Sequence, residues 1–232
     1  MSAVKVTYFS DVLCVWAYAA ERRLEELARA FGEQISIEAR YCSVFPDALA
    51  KIEDKWAARG GFEGFNRHLN DVASRFPHLD VHERLWLETR PRTSASAHLF
   101  LKAVDSIERR QLGEGSDAVP YFQRLSTRAA WATRRAFFAE ARDISDWQVH
   151  NDIAEELGLD HDAIQESIRT SEAVAQLARD YELSQTLGVE GSPTFIMNNG
   201  RQKLFGNIGY RLLEANVQEL LRNHPEDEAS WC

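Results

Sequence analysis

The order of the hydrophobic patterns along the chain is the feature that most restricts its fold. Residues 4–9 are mostly β-branched and aromatic, as in a buried strand. Apolar residues between Ala17 and Phe31 then recur every three or four positions up to Gly32, as in a helix. Ile35–Tyr41 alternates apolar and polar residues, as in a second strand. The chain therefore opens with a predicted βαβ unit.

Residues 47–187 have a different character, because they carry long helical patterns and no further convincing strand. A helix cap at Ser145 or Asp146 precedes one of three apolar stripes. The stripes consist of Phe122, Leu125, Ala129, Ala132, Ala136 and Ala139, then Val149, Ile153 and Leu157, then Val174, Leu177, Ala178 and Tyr181. This block is predicted to be an all-helical domain inserted into the surrounding fold.

Strand patterns return after the helical block. Residues 188–193 break the helices, Thr194–Met197 reads as a strand, and the turn at Asn198–Gly200 leads to a partner strand containing Leu204 and Phe205. A last amphipathic helix carries the apolar residues Tyr210, Leu213, Val217, Leu220 and Leu221. The prediction is an α/β fold with a split core at 1–46 and 188–232 and the helical insertion at 47–187.

Composition excludes several classes of protein. The 232 residues are 44% hydrophobic and 27% charged, as in an ordinary globular chain. The excess of 36 acidic over 27 basic side chains, a net charge of −9, argues against a nucleic-acid partner. No apolar stretch approaches the length of a membrane helix and no leader pattern is visible, so we expect a cytoplasmic protein without a membrane partner.

The three cysteines, Cys14, Cys42 and Cys232, are widely spaced and odd in number, which predicts reduced thiols instead of a disulfide scaffold. Cys14 stands where the first strand passes into the first helix. The positive end of a helix dipole favours a thiolate, so this position predicts a thiol that ionises near neutral pH. The alternative is a small core residue among Leu13, Val15 and Trp16.

A second feature is Pro193, which directly precedes a predicted strand. A trans proline inside a sheet would forfeit a ladder hydrogen bond, and a cis turn after Ser192 resolves the conflict. An ordinary loop proline is the alternative interpretation.

Taken together, four segments resemble the DsbA family of the thioredoxin-like superfamily, in the branch that includes 2-hydroxychromene-2-carboxylate isomerases and kappa-class glutathione transferases. The resemblance spans nearly the whole chain. It rests on residues 9–18 (FSDVLCVWAY), 93–98 (TSASAH), 138–146 (FAEARDISD) and 188–195 (GVEGSPTF). It implies a thioredoxin-like core, with Cys14 as the nucleophile and Pro193 in the cis form.

The resemblance also implies where a substrate would bind. The backbone at Ser192 and Pro193 would pair with the cysteinyl part of a peptide or of glutathione, and Trp16 is either a wall for that partner or a core anchor. The redox members carry a second cysteine where this chain has Ala17, and the isomerase and transferase relatives usually carry an acidic residue where it has Asn207. Asn207 can donate hydrogen bonds but supplies no charge.

The resemblance, together with the alanine at position 17, implies three candidate functions. A thiol-disulfide oxidoreductase would form mixed disulfides at Cys14 with a protein or glutathione, and an external thiol would release them because Ala17 cannot. The alternatives are a glutathione-dependent isomerase or transferase of small aromatic molecules, and a peptide-binding module without turnover. We expect no bound cofactor, with glutathione as a co-substrate; the substrate and the oligomeric state are not indicated.

The histidines offer no metal site, because they are scattered and lack a metal-ligand motif. His98 matches a family position, and it is either structural or part of the cleft between the two subdomains. No metal is therefore predicted.

Overall fold

The computed structural model describes residues 3–113 and 119–222, so Cys232 lies outside the described residues. Four strands form one mixed sheet in the order β2-β1-β3-β4. The first two strands are parallel, and the other two pairings are antiparallel. The strands are β1 (Val4–Ser10), β2 (Ile35–Tyr41), β3 (Thr194–Met197) and β4 (Gln202–Phe205). This arrangement confirms the predicted α/β core of a βαβ unit followed by a hairpin.

The described part of the chain contains ten α-helices. They are α1 (Val15–Phe31), α2 (Ala48–Trp56), α3 (Gly61–Ala73), α4 (Leu85–Glu88), α5 (Ala95–Leu112), α6 (Leu125–Phe138), α7 (Trp147–Glu156), α8 (His161–Arg169), α9 (Glu172–Thr186) and α10 (Tyr210–Leu221). Every described element between β2 and β3 is helical, as the sequence predicts. None of the described helices has the length and apolar character that crossing a membrane requires.

Residues with a positive φ end helix α1 and form the turn between β3 and β4. Helix α1 ends at Gly32, which adopts a positive φ of 51° that favours glycine. The β3–β4 turn uses Asn198 and Asn199 at positive φ, a conformation that asparagine tolerates better than most residues. Phe9 pairs with Thr194 across β1 and β3. The chain that leaves β1 and the chain that enters β3 therefore meet at one end of the sheet.

The buried face of α9 differs in part from the predicted apolar stripe. Leu177 is buried as predicted, but Val174, which is 46% exposed, and Ala178 face solvent, because the buried face of α9 consists of Ala173, Leu177, Asp180 and Ser184. The predicted α7 cap is Asp146, whose carboxylate accepts from the Gln148 N–H.

One apolar cluster spans the predicted boundary between the core and the insertion. It joins Val12 and Leu13, which follow β1, to Phe100 of α5 and Phe137 of α6. The division at 46/47 and 187/188 stays a prediction, and the two parts share this core.

Candidate active site

Cys14 is the N-cap residue of α1. Its backbone is extended (φ −85°, ψ 113°), and its carbonyl oxygen accepts hydrogen bonds from the N–H groups of Ala17 at 3.1 Å and Tyr18 at 3.0 Å. The side chain is 7% exposed. The prediction that this thiol lies at the start of the first helix is therefore confirmed. The structure adds that the thiol is largely buried.

The loop before β3 lies directly against this thiol. The Ser192–Pro193 peptide bond is cis, which confirms the cis form expected for Pro193. The Sγ of Cys14 donates to the backbone carbonyl oxygen of Ser192 at 3.2 Å. The hydroxyl of Ser192 in turn accepts from the Asp11 N–H at 2.9 Å, and the Gly206 N–H donates to the Pro193 carbonyl at 2.9 Å. The fold thus brings Cys14, Ser192 and Pro193 together.

The acidity of the thiol differs from the sequence prediction. Burial raises the pKa of Cys14 above its ordinary value, and the nearby charge of Asp11 acts in the same direction. The Ser192 side chain and the amides of Ala17 and Trp16 act in the opposite direction, because their hydrogens favour the thiolate. The expectation of a thiol that ionises near neutral pH is wrong for this conformation, because desolvation outweighs the helix N-terminus.

Asp11 is the buried centre of the site, and sequence reasoning missed it. Its Oδ1 accepts from the Leu13 N–H at 2.9 Å. Its Oδ2 accepts from the N–H groups of Val44 at 2.9 Å and Phe45 at 3.0 Å, and from the hydroxyl of Ser94 at 2.8 Å. Asp11 therefore fixes the cysteine loop to the segment after β2 and to the start of α5. Its only sequence signal is a carboxylate directly after an apolar strand.

His98 stabilises the same loop through a hydrogen bond to its backbone. It is fully buried, and its Nε2 lies 3.2 Å from the Val12 nitrogen, from which it accepts a hydrogen bond. Its ring stacks on Tyr41, and its Nδ1 lies 3.2 Å from the Tyr181 hydroxyl. Burial lowers the pKa of His98 to about 4, so the ring is neutral at physiological pH. Of the two predicted roles, this geometry matches the structural one.

Cys42 and Lys51 lie close to the thiol and were not predicted as site residues. The Sγ of Cys42 lies 3.9 Å from the Gly191 carbonyl oxygen, next along the loop from the acceptor of Cys14. Burial raises the pKa of Cys42. The Nζ of Lys51 donates to the Val44 carbonyl at 2.6 Å and lies 4.7 Å from the centre of the Phe45 ring. These groups add a second thiol and a cation to the surroundings of the site.

The remaining predicted residues occupy different environments. Ala17 is fully buried, and its carbonyl accepts from the Tyr8 hydroxyl at 3.2 Å. Trp16 is half-buried and packs edge-on against Phe76, with ring centres 6.2 Å apart, so it links the site to the helical block. Asn207 is exposed on the loop after β4. Asn207 forms no hydrogen bond with Cys14 among the described residues.

Chemically, this arrangement offers the Cys14 thiol beside the cis-proline loop, with the Cys42 thiol next to it. Both Cys14 and Cys42 are free thiols. Among the residues that the structure describes, no group of His, Cys, Asp or Glu side chains is placed to hold a metal ion.

The mixed sheet and the thiol beside a cis-proline define a thioredoxin-like protein. Residues 5–218 match the family model of the DSBA-like thioredoxin domain, and the chain accordingly belongs to that family. Comparison with curated protein sequences yields no match.

Solved structures share this fold at low sequence identity. The probable DsbA oxidoreductase of Streptomyces coelicolor is 17% identical, with a TM-score of 0.71 over 98% of this chain and 94% of that one. A 2-hydroxychromene-2-carboxylate isomerase is 18% identical, with a TM-score of 0.61 over 94% and 96%. The cytosolic disulfide reductase DsbM of Pseudomonas aeruginosa is 20% identical, with a TM-score of 0.59 over 94% and 98%, and it has also been solved with GSH. These similarities concern the fold.

Proposed function

We propose that the protein is a thiol-disulfide exchange enzyme that works through the single cysteine Cys14. The observation that carries the proposal is the contact between the Cys14 Sγ and the Ser192 carbonyl, 3.2 Å apart beside the cis-proline. A disulfide that pairs with this loop by backbone hydrogen bonds would present its sulfur to Cys14.

The exchange takes place in three balanced steps. The Cys14 thiolate attacks one sulfur of a disulfide, a new sulfur–sulfur bond forms, and the other half of the substrate leaves as a thiolate that takes up a proton. Because Ala17 has no thiol, an external thiol such as glutathione attacks the mixed disulfide and returns Cys14 to its reduced form. A second glutathione then resolves the glutathionylated product, so two thiols are oxidised for each disulfide reduced.

The electrostatics set the conditions for this chemistry. Burial keeps most of the Cys14 thiol protonated at neutral pH, and only the thiolate attacks. Exchange should therefore be slow at neutral pH and should accelerate as pH rises. We expect the reaction to run in the cytoplasm, where a reduced glutathione pool supplies the external thiol.

One observation favours a second candidate, a glutathione-dependent isomerase or transferase. Cys14 is a hydrogen-bond donor in this structure, and a protonated thiol can orient the thiolate of bound glutathione without reacting. The isomerase and the GSH-bound DsbM among the structural neighbours are consistent with glutathione as a co-substrate.

Intact mass spectrometry separates these functions. The native protein and Cys14→Ser are incubated with oxidised glutathione and then with reduced glutathione. Addition of one glutathione at Cys14 that reduced glutathione reverses supports the exchange enzyme. Binding of reduced glutathione without addition supports the second candidate. If neither occurs, both enzymatic proposals fail and a peptide-binding module remains.

A further inference from the structure

A cleft that Cys14 does not line lies between α1 and the helices α6 and α7. Its volume is about 480 Å³, which falls within the range of small-molecule sites. Neither Cys14 nor the Ser192–Pro193 loop lines it. The cleft is therefore separate from the candidate active site.

One wall of the cleft is apolar. Trp131 lines it while remaining 39% exposed, and the centre of its ring lies 5.3 Å from the centre of the Tyr18 ring. Ala132, Ile153 and Leu157 continue this wall. A partly exposed indole beside aliphatic side chains favours a ligand with an apolar group, because contact would remove both surfaces from water.

The charges around the cleft are mostly satisfied within the protein. Four arginines and four glutamates line it. Six of the eight form ion pairs, which are Arg22 with Glu25, Arg135 with Glu140, Arg142 with Asp152 and Glu21 with Arg134.

The other two charged side chains are Arg128 of α6 and Glu156 of α7. Neither side chain has an ion pair or hydrogen bond with any described residue. Both are exposed, so the cleft offers one free cation and one free anion in addition to its apolar wall.

We propose that this cleft binds a short zwitterionic peptide with an apolar side chain. The ligand's carboxylate would pair with the guanidinium of Arg128, which can bind it through two parallel hydrogen bonds. Its ammonium group would pair with Glu156, and its apolar side chain would lie on Trp131. A simple anion or cation would leave one of the two free charges without a partner, and neither would use the apolar wall. The site is independent of the exchange activity proposed above.

The test is isothermal titration calorimetry, which measures the affinity for the dipeptide alanyl-phenylalanine and for its N-acetylated and C-amidated forms. The free dipeptide should bind the native protein more tightly than either blocked form. Arg128→Gln should weaken binding of the free dipeptide about fivefold, the scale of an exposed ion pair, and leave binding of the amidated form unchanged. Glu156→Gln should weaken binding of the free dipeptide about fivefold and leave binding of the acetylated form unchanged. Arg211→Gln and Glu182→Gln, exposed positions outside the cleft, are the matched controls and should bind as the native protein does.

Cys14→Ala distinguishes the cleft from the thiol site. It should bind the dipeptide with unchanged affinity, because the cleft contains no part of that site. Loss of binding in Cys14→Ala would place the ligand at the cysteine and overturn the proposal. Equal affinity for all three peptide forms would overturn it too, as would the lack of saturable heat at millimolar dipeptide.

Discussion

The Cys14 thiol donates its hydrogen bond to the backbone carbonyl oxygen of Ser192 across 3.2 Å, so in the resting protein the proton stays on sulfur. The two residues are 178 positions apart in the sequence, and the pairing of β1 with β3 brings them together. The loop that would receive a peptide substrate is thus also the loop that holds the thiol in its unreactive form.

The first prediction concerns the pH dependence of Cys14. Because its pKa is raised in the folded protein, its alkylation rate should still be increasing at about pH 9, where a free cysteine begins to level off. Peptide-resolved iodoacetamide labelling measures this rate, and the urea-unfolded chain is the control. A native rate that reaches its plateau near pH 7 would show that the helix N-terminus outweighs burial.

The second prediction is that Asp11→Asn lowers the stability of the protein and also lowers the pKa of the Cys14 thiol. The amide has one acceptor oxygen for four donors, so the free energy of unfolding should fall by about 2–4 kcal/mol. Loss of the negative charge should lower the pKa of Cys14, because Asp11 raises it, and labelling at neutral pH should become faster.

Denaturant unfolding and thiol labelling test this pair of effects. Asp54→Asn on the exposed face of α2 is the matched control and should change neither quantity. A variant that loses stability while the labelling rate of the still-folded protein is unchanged would refute the electrostatic role of Asp11.

The fold was largely predictable because its signals are local. The alternation in Ile35–Tyr41, the helical period before Gly32 and the turn at Asn198–Gly200 each lie within a short window, and the order of these elements restricts the topology. The position of Cys14 follows from the same order, since it depends only on where a strand ends and a helix begins.

The electrostatics of the site were not predictable in this way. The donors to Asp11 come from Leu13, Val44, Phe45 and Ser94, up to 83 positions away. The pKa of Cys14 depends on how deeply it is buried, which tertiary packing decides. A helix N-terminus is visible in the sequence, whereas the desolvation that opposes it is not.

The third prediction is that Ala17→Cys creates a dithiol pair. Position 17 is on the first turn of α1, and its N–H bonds the Cys14 carbonyl at 3.1 Å. A sulfur there can reach Cys14 with ordinary disulfide geometry. Reduction of a protein disulfide with dithiothreitol as the electron donor should become about tenfold faster, because an intramolecular step replaces a bimolecular one.

Ala20→Cys is the matched control for this variant, since Ala20 is equally buried on the same helix. It should form no bond with Cys14. Failure of the Ala17→Cys protein to form an internal disulfide under mild oxidation would remove the structural basis of the redox proposal.

The fourth prediction concerns stability in acid. Burial lowers the pKa of His150 to about 4, so the unfolded chain binds this proton more tightly than the folded one. The contribution of His150 is complete above its unfolded pKa of about 6.5 and is lost as pH falls towards 4, on the order of 3 kcal/mol. His150→Phe should reduce the loss of stability over that range, because phenylalanine can keep the stacking on Phe100.

Denaturant unfolding at a series of pH values tests the fourth prediction. His161→Gln, an exposed position on α8, is the control and should retain the native pH dependence. An unchanged acid dependence in His150→Phe would mean that His150 does not titrate as proposed.

The claim that Cys14 performs disulfide exchange is tested most directly by a single-turnover measurement with oxidised glutathione. Attack by Cys14 should release one equivalent of reduced glutathione per chain, and the Cys42→Ser/Cys232→Ser double variant should release the same amount. Cys14→Ser should release none. Release that persists in Cys14→Ser, or that disappears in the double variant while Cys14 is intact, would contradict the account.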